Sequence, residues 1–213
     1  MLSFGEGPSL TVRLVQHWEI SMPDDLFEKA KATFTNMPQY EILRSIMPQP
    51  QSLIRTYPLF KLNEASFTFL LTPAFERHAD CSPDKLEYSH NGIPYPKLEH
   101  FAQSLLDTQN YADLEDLVDG MDLDEAWGEA NLDFEHIPID YIKRKNELIC
   151  ESLPGLPGLM ASLSTTPDPK GAWTRAVRGK RARMMPKYSE ELYATRFRLI
   201  GSPDPRMDKS RQV

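Results

Sequence analysis

Three aspartates near the middle of the chain have the residue type and the spacing of a cation site. Asp119, Asp122 and Asp124 lie around the turn predicted between two helices, and hard cations such as Mg²⁺ and Ca²⁺ prefer clustered carboxylates. Their series does not match an EF-hand, which requires glycine and glutamate at fixed later positions. A solvated acidic face with helix-capping residues is the alternative interpretation, because helix N-termini favour acidic side chains.

A cysteine and two histidines are the second candidate for chemistry. His78 and Cys81 are three residues apart and His90 follows, a spacing compatible with half of a metal site or with a nucleophile and its base. Zinc needs four ligands, and the sequence has neither CxxC nor HExxH. It also lacks the P-loop, GxGxxG and Gly-x-Ser-x-Gly motifs. We therefore assign no catalytic residue, interpret Cys81 as an ordinary loop thiol and expect Cys150 in a core.

The acidic and basic residues are separated along the chain. Residues 1–169 contain 12 Lys+Arg and 27 Asp+Glu, whereas residues 170–213 contain 12 and 4. Residues 98–142 hold 13 acids and no Lys or Arg, and residues 170–187 hold 7 bases and no acid. This asymmetry predicts an acidic body with a basic tail.

The basic segment contains Arg178-Gly-Lys-Arg-Ala-Arg183, which has the Lys-Arg-x-Arg form of a short nuclear-localisation signal and would attract phosphates. Three interpretations stay open: pairing with the acidic helices of the same chain or of a second copy, a nuclear address or nucleic-acid contact through residues 170–187, and no specific role. The candidate partner-binding residues are Arg178, Lys180, Arg181, Arg183, Trp173, Asp113, Glu115 and Asp116.

Strands dominate the predicted elements of the first ninety residues. Alternating or β-branched and aromatic runs predict strands at Leu10–Ile20, Leu53–Leu62, Ser66–Thr72 and Lys85–Ser89. A helix is expected from Pro23 and should end before Pro38. Pro58 predicts an edge position for the second strand, and Asn91-Gly92 predicts a tight turn after the fourth.

Helices carry the acidic segment. Apolar residues at helical spacing predict helices from Leu98, from about Leu114 to a left-handed Gly120, from Asp122 with Glu125 in a capping box, and over Ile139–Leu153. Residues 154–187 show no periodic apolar face and predict a linker or extended arm. Ser189–Ile200 supplies enough apolar surface for a short docked element.

These elements predict an α+β fold, with a small mixed or antiparallel sheet, acidic helices packed on it and a basic extended C-terminal arm. Residues 1–153 are the expected globular domain, and residues 154–213 the Pro/Gly-rich linker and basic arm. Two cysteines exclude a disulfide framework, and the longest apolar stretches are too short for a membrane span. Since Met1–Glu6 lacks the pattern of a secretory signal, a soluble, cytoplasmic protein is expected, with a nuclear one as the alternative.

Part of the chain resembles uncharacterised fungal proteins, some of which are described as nucleotidyltransferase-like. The resemblance covers residues 66–135 and rests on Asn91-Gly-Ile-Pro-Tyr-Pro-Lys-Leu, Phe101-Ala-Gln-Ser-Leu-Leu-Asp-Thr and Asp116-Leu-Val-Asp-Gly-Met-Asp-Leu-Asp-Glu-Ala-Trp-Gly. It implies an enzyme whose Gly-Ser and paired aspartates bind Mg²⁺. The only Gly-Ser pair, Gly201-Ser202, lies near the C-terminus and does not match that pattern, so no catalytic residue is carried over.

The sequence thus favours a non-enzymatic interaction or accessory protein that needs no cofactor. Its acidic helical face and basic arm would contact a protein partner or another copy of the chain. One alternative is a divergent nucleotidyltransferase-like enzyme that holds Mg²⁺ with Asp119, Asp122 and Asp124. The other is a nucleic-acid-associated protein that uses residues 170–187.

Overall fold

The computed structural model describes residues 18–43, 52–65, 67–155 and 167–183, together with Phe197. The chain divides into two compact units. Unit 1 contains the described residues 82–137, 167–183 and Phe197, and unit 2 contains the described residues 18–81 and 138–155. Within the described ranges, no helix combines the length and the apolar character that crossing a bilayer requires.

The described residues form six strands and seven helices, which confirms the α+β class. The strands are β1 (Trp18–Met22), β2 (Tyr40–Leu43), β3 (Leu59–Leu62), β4 (Thr68–Pro73), β5 (Leu86–Tyr88) and β6 (Pro94–Pro96). The helices are α1 (Asp24–Thr35), α2 (Leu98–Asp107), α3 (Tyr111–Gly120), α4 (Glu125–Asn131), α5 (Ile139–Ser152), α6 (Pro169–Arg178) and α7 (Lys180–Arg183). Short 3₁₀ turns cover Ile54–Thr56, Ala74–Arg77 and Pro83–Lys85.

Unit 2 contains a mixed four-stranded sheet in the order β1-β4-β3-β2, as predicted for a small mixed sheet. β1 runs parallel to β4, and the other two pairings are antiparallel. Phe60, Phe69 and Leu71 point to one face, where Phe27 and Phe34 of α1 cover them. The Phe34 and Phe69 rings lie 5.0 Å apart in a T-shaped arrangement. The apolar side of α1 thus packs on the sheet, as the helical spacing of its apolar residues predicts.

Two details of the sheet differ from the prediction. β3 lies between β4 and β2, so the predicted edge position is wrong. Pro58 precedes the strand, and its carbonyl accepts a hydrogen bond from the Leu71 amide at 3.1 Å, so the ladder never requires the missing proline N–H. Residues 54–56 form a turn instead of strand, and β2 was not predicted. The predicted strand over Leu10–Ile20 falls outside the described residues up to His17.

Unit 1 is built on helices and one hairpin. β5 and β6 pair antiparallel across the predicted Asn91-Gly92 turn. The buried side chains of α2 and α3 pack with one another and with those of α6. The largest members of this core are Leu105, Leu106, Leu114, Leu117 and Trp173. Within unit 1 the acidic helices therefore have α6 as a core partner, and the helix that covers the sheet of unit 2 is α1.

The predicted extended arm is wrong for residues 169–178 and 180–183, which are helical. Asp168 caps α6 by accepting a hydrogen bond from the Gly171 amide at 2.9 Å, and Pro169 occupies the first turn. Both are standard helix-start signals. Ala172, Trp173 and Ala176 are buried on one side of the helix. The apolar side of α6 was not recognised in the sequence, because two of these three residues are alanines that lie between basic residues.

The connection between α3 and α4 also differs from the prediction. Gly120 is the last residue of α3, and the left-handed residue is Asp122, with φ of 54°. The amides of Asp122 and Leu123 donate to the carbonyls of Asp119 and Val118, which is the Schellman pattern with its buried apolar residue at Leu123. Asp124 is the cap of α4, and its carboxylate accepts from the Trp127 amide at 2.7 Å.

Candidate functional site

The acidic and basic segments meet in unit 1 along a row of five ion pairs. From one end to the other, the pairs are Glu115–Arg183 (3.4 Å), Asp119–Arg183 (2.7 Å), Asp122–Lys180 (3.2 Å), Glu125–Arg178 (2.8 Å) and Glu129–Lys170 (3.7 Å). Acid numbers rise while base numbers fall, because the basic helices run antiparallel to the acidic segment. We call these nine residues the acid–base ladder.

Trp173 anchors the basic side of the ladder in the core. Its side chain is 1% exposed, and its ring centroid lies 5.6 Å from that of Trp127. Only glycine fits at position 128, since a Cβ there would overlap the Trp173 indole. The predicted partner-binding role of Trp173 is therefore replaced by a packing role, which fixes α6 against α4.

Near one end of the ladder, the Asp119 carboxylate is buried. Asp119 is fully shielded from solvent, and Arg183 donates from Nε and Nη2 to its two carboxylate oxygens at 2.8 and 2.7 Å. The Arg183 guanidinium also donates to the Ala176 carbonyl. Burial lowers the pKa of Arg183, but the Asp119 and Glu115 carboxylates outweigh it and raise this pKa overall. Such a bidentate pair is among the strongest hydrogen-bonded ion pairs.

The other end of the ladder faces solvent. The Arg178 side chain is 71% exposed and that of Glu125 is 43% exposed. The hydrogen bond from Arg178 lowers the pKa of Glu125. Lys170 and Glu129 are about equally exposed and lie 3.7 Å apart. Exposed pairs of this kind contribute little to stability and are screened by salt.

The three candidate metal ligands have separate partners. Asp119 binds Arg183, Asp122 faces Lys180, and Asp124 caps α4. Among the described residues, no group of three or more His, Cys, Asp or Glu side chains is arranged to hold a metal ion. In the described structure the three carboxylates thus bind three different groups.

The remaining candidate partner-binding residues are not members of the ladder. Asp113 accepts a hydrogen bond from the Asn110 side chain at 2.8 Å, and Asp116 is buried. Arg181 is exposed on α7 and makes no ion pair with the described part of the chain. Arg178, Lys180, Arg183 and Glu115 are ladder members, so half of the eight predicted residues come together there.

Unit 2 contains a buried polar cluster that the sequence reasoning missed. Glu76 is 2% exposed and Lys145 9% exposed, and Lys145 Nζ lies 3.3 Å from Glu76 Oε1. Lys145 also donates to the Tyr141 hydroxyl at 3.0 Å, and that hydroxyl donates to the Glu76 carbonyl at 3.2 Å. The Tyr57 hydroxyl donates to Glu76 Oε2 at 3.4 Å. The signal in the sequence is the helical i, i+4 spacing of Tyr141 and Lys145 on the apolar side of α5.

Burial sets the protonation behaviour of this cluster. Burial, together with the Glu76 carboxylate, raises the pKa of Tyr57. Burial lowers the pKa of Lys145, and the attraction of Glu76 opposes this effect. The cluster joins α5, which carries Tyr141 and Lys145, to the turn after β4, which carries Glu76. Buried polar groups are normally paired in this way.

His78 and Cys81 each have identifiable neighbours in unit 2. The His78 ring packs against that of Tyr141 with a centroid distance of 4.6 Å. Burial, followed by the nearby Asp80 and Asp24 carboxylates, raises the pKa of Cys81, which keeps the thiol protonated. Cys150 packs against the small core of Leu53 and Ile149, as expected.

One cavity of about 420 Å³ lies in unit 2, beside the β3–β4 turn. Its lining is Pro38, Gln39, Leu62, Asn63 and Glu64. Among these described lining residues, Glu64 is the one ionisable side chain.

The acid–base ladder is thus the arrangement that brings the candidate residues together, and it does so on a surface between helices. Comparison with known proteins adds no relative: no family model, no curated protein and no solved structure matches this chain.

Proposed function

We propose that this chain is a non-enzymatic interaction or accessory protein that binds a protein partner through the acidic surface of unit 1. The observation that carries the proposal is the acid–base ladder. Its charged groups spread along helices and pair with one another, whereas catalysis needs reactive groups that converge on a substrate position. Charged surfaces of this kind give specificity and fast association with a partner of opposite charge.

The described part of unit 1 contains more acidic than basic residues, so it carries an excess of negative charge beyond the pairs of the ladder. Residues 82–137 contain 14 Asp+Glu and 2 Lys+Arg, whereas residues 167–183 contain 1 Asp and 6 Lys+Arg. Asp133 and Glu135 are exposed and lie outside the ladder. The Asp133 carboxylate accepts hydrogen bonds from the Glu135 and His136 amides at 3.0 Å each, so it is held in a fixed position. A partner with a basic segment fits this surface best.

A second copy of the chain is one such partner, because residues 170–213 contain 12 Lys+Arg. The first measurement is therefore the mass of the purified chain in solution at low and at high salt. A dimer that dissociates at high salt supports self-association. A monomer under both conditions directs the search to a different basic protein.

Charge reversal tests the surface itself. In D133K/E135K, two exposed acids of unit 1 become basic. The matched control E28K/E147K changes two exposed acids of unit 2. We expect the control and the natural sequence to cross-link to the same protein in cell extract, and D133K/E135K to lose that protein. Equal capture by all three proteins would contradict the proposal.

The other interpretations of the sequence make separate predictions. The resemblance of residues 66–135 to nucleotidyltransferase-like proteins predicts Mg²⁺-dependent nucleotide transfer by the purified chain. Nucleic-acid contact through residues 170–187 predicts an affinity that falls steeply with salt. Because Lys170, Arg178, Lys180 and Arg183 already face carboxylates, we favour the protein partner. The proposed location is the cytoplasm, with the nucleus as the alternative.

A further inference from the structure

The basic motif Lys180-Arg181-Ala182-Arg183 lies in α7, a single helical turn. Two of its basic side chains are largely covered. The Lys180 side chain is 17% exposed and faces Asp122, and the Arg183 side chain is 19% exposed and lies between Asp119 and Glu115. Arg181 points to solvent.

Short Lys/Arg-rich segments are one form of nuclear-localisation signal. A receptor that recognises such a segment by its charge needs direct access to the basic side chains, because charge-assisted hydrogen bonds form only in contact. In α7 the segment is helical, and the acidic helices of the same chain already hold two of its basic side chains. The closed conformation therefore blocks the interaction that import requires.

We propose that Lys180–Arg183 is a latent nuclear-import signal, which Glu115, Asp119 and Asp122 keep closed by pairing with its basic side chains. Its partner is an import adaptor that binds extended Lys/Arg segments. The inference concerns the basic side of the ladder and does not depend on the acidic surface proposed above for a protein partner.

The structure allows this signal to open without unfolding unit 1. α7 contains no buried residue, whereas Ala172, Trp173 and Ala176 hold α6 in the core. Gly179 separates the two helices, and the Arg183 guanidinium lies where a side chain at position 179 would be. Segments with few buried apolar contacts open locally at a lower cost than the core. Opening α7 breaks the Asp119–Arg183 pair and is therefore unfavourable in the natural sequence, but it leaves the apolar contacts of α6 in place.

The apparent affinity for an adaptor scales with the fraction of chains in which α7 is open. E115Q/D122N neutralises the two exposed acids that face α7 and leaves the buried Asp119 in place. Asn tolerates the left-handed backbone of position 122 as Asp does. Losing two exposed ion pairs should raise the apparent affinity by between about 2-fold and about 30-fold.

The experiment measures binding of the full-length chain to a purified import adaptor. The matched control is E129Q/E135Q, which also removes two acids of unit 1 but none that faces α7. A third protein adds R181A to E115Q/D122N, because Arg181 is exposed and its loss weakens the signal without disturbing the core. Circular dichroism verifies that all variants are folded.

Four proteins then give a defined pattern. We expect weak binding by the natural sequence and by E129Q/E135Q, tighter binding by E115Q/D122N, and loss of that gain on adding R181A. In cells, fusion to a carrier too large to diffuse through nuclear pores should become nuclear only in E115Q/D122N. Equal binding by the natural sequence and E115Q/D122N, or a gain that survives R181A, would overturn the proposal. Either result leaves the test of the acidic partner surface unaffected.

Discussion

The main ion pairs of the two units differ in their burial. Among the described residues of unit 2, the Glu76–Lys145 side chains are almost completely buried and have tyrosine hydroxyls as further partners, whereas pairs such as Glu28–Lys31 are exposed. In unit 1 the acid–base ladder has five pairs, of which Asp119–Arg183 alone contains a fully buried carboxylate. A buried pair is costly to break, because the remaining charge has no water to solvate it. An exposed ladder adds little stability, but it fixes which surfaces meet and responds to salt.

Breaking the pair of unit 2 should give the largest effect. Lys145→Met leaves the Glu76 carboxylate buried without its cation, and we expect a loss of about 3–5 kcal/mol in the free energy of unfolding. Urea denaturation followed by circular dichroism measures it. The double variant E76Q/K145M removes both charges and should be less destabilised than K145M. If the double variant loses as much as or more than K145M, burial of the charge is not the cause.

Truncating Trp173 tests whether α6 is held by packing or by charge. Trp173→Ala removes a buried indole, and comparable core truncations cost about 3–5 kcal/mol. Trp18→Ala is the control, because Trp18 is 41% exposed. Urea unfolding should show a large loss for the first variant and a small one for the second. Similar losses would mean that α6 contributes little to the core of unit 1.

The two residues of the Asp119–Arg183 pair should contribute unequally to the free energy of unfolding. Arg183→Ala removes the guanidinium that pairs with the fully buried Asp119 carboxylate, and we expect a loss of about 3 kcal/mol. Asp119→Ala should cost about 1.5–2 kcal/mol, because Arg183 retains Glu115 and the Ala176 carbonyl. Thermal unfolding at constant pH compares the two variants. The reverse order would show that the guanidinium depends on Asp119 more than Asp119 depends on it.

The raised pKa of Tyr57, in the buried cluster of unit 2, predicts a loss of stability at alkaline pH. Burial and the Glu76 carboxylate raise the pKa of Tyr57 above its unfolded value of about 10. The folded chain therefore keeps this proton longer, so the stabilisation is complete below pH 10 and declines as the pH rises further. Unfolding midpoints between about pH 9 and pH 11 should fall more steeply in the natural sequence than in Tyr57→Phe. Parallel curves would exclude Tyr57 as the source.

The exposed end of the ladder should give the smallest effect. Arg178→Ala removes the hydrogen bond that lowers the pKa of Glu125, so the pKa of that carboxyl should rise in an NMR titration. The stabilisation is present above the unfolded pKa of Glu125 and disappears as the pH falls through the folded pKa. At molar salt, the unfolding midpoints of the variant and the natural sequence should coincide. A difference that persists in high salt would show that Arg178 also packs.

Local patterns predicted most of the elements. The apolar residues of α1 and α2 recur at helical spacing, and the hairpin of β5 and β6 turns at Asn91-Gly92 as expected. α6 escaped prediction because its buried face consists mainly of alanines and one tryptophan among basic residues. Asp168-Pro169 was the available signal, since it marks the start of a helix.

For the candidate site, the sequence predicted which residue types are involved but not which residues pair with each other. Segregation of acids and bases along the sequence indicates that the two groups can attract each other. It does not indicate which carboxylate binds which base, because the ladder depends on the antiparallel packing of α6 against α4. The buried Glu76–Lys145 pair was unpredictable for a similar reason, as its two residues are far apart in sequence.

The sequence by itself determined the α+β class, the helical character of the acidic segment and the separation of charge. These properties follow from side-chain periodicity, capping and composition, which act over a few residues. The tertiary structure decided that Trp173 is a core residue, that Asp119 pairs with Arg183, and that Lys180 of the basic motif faces Asp122. These outcomes depend on burial, and burial is set by contacts between segments that are remote in the chain.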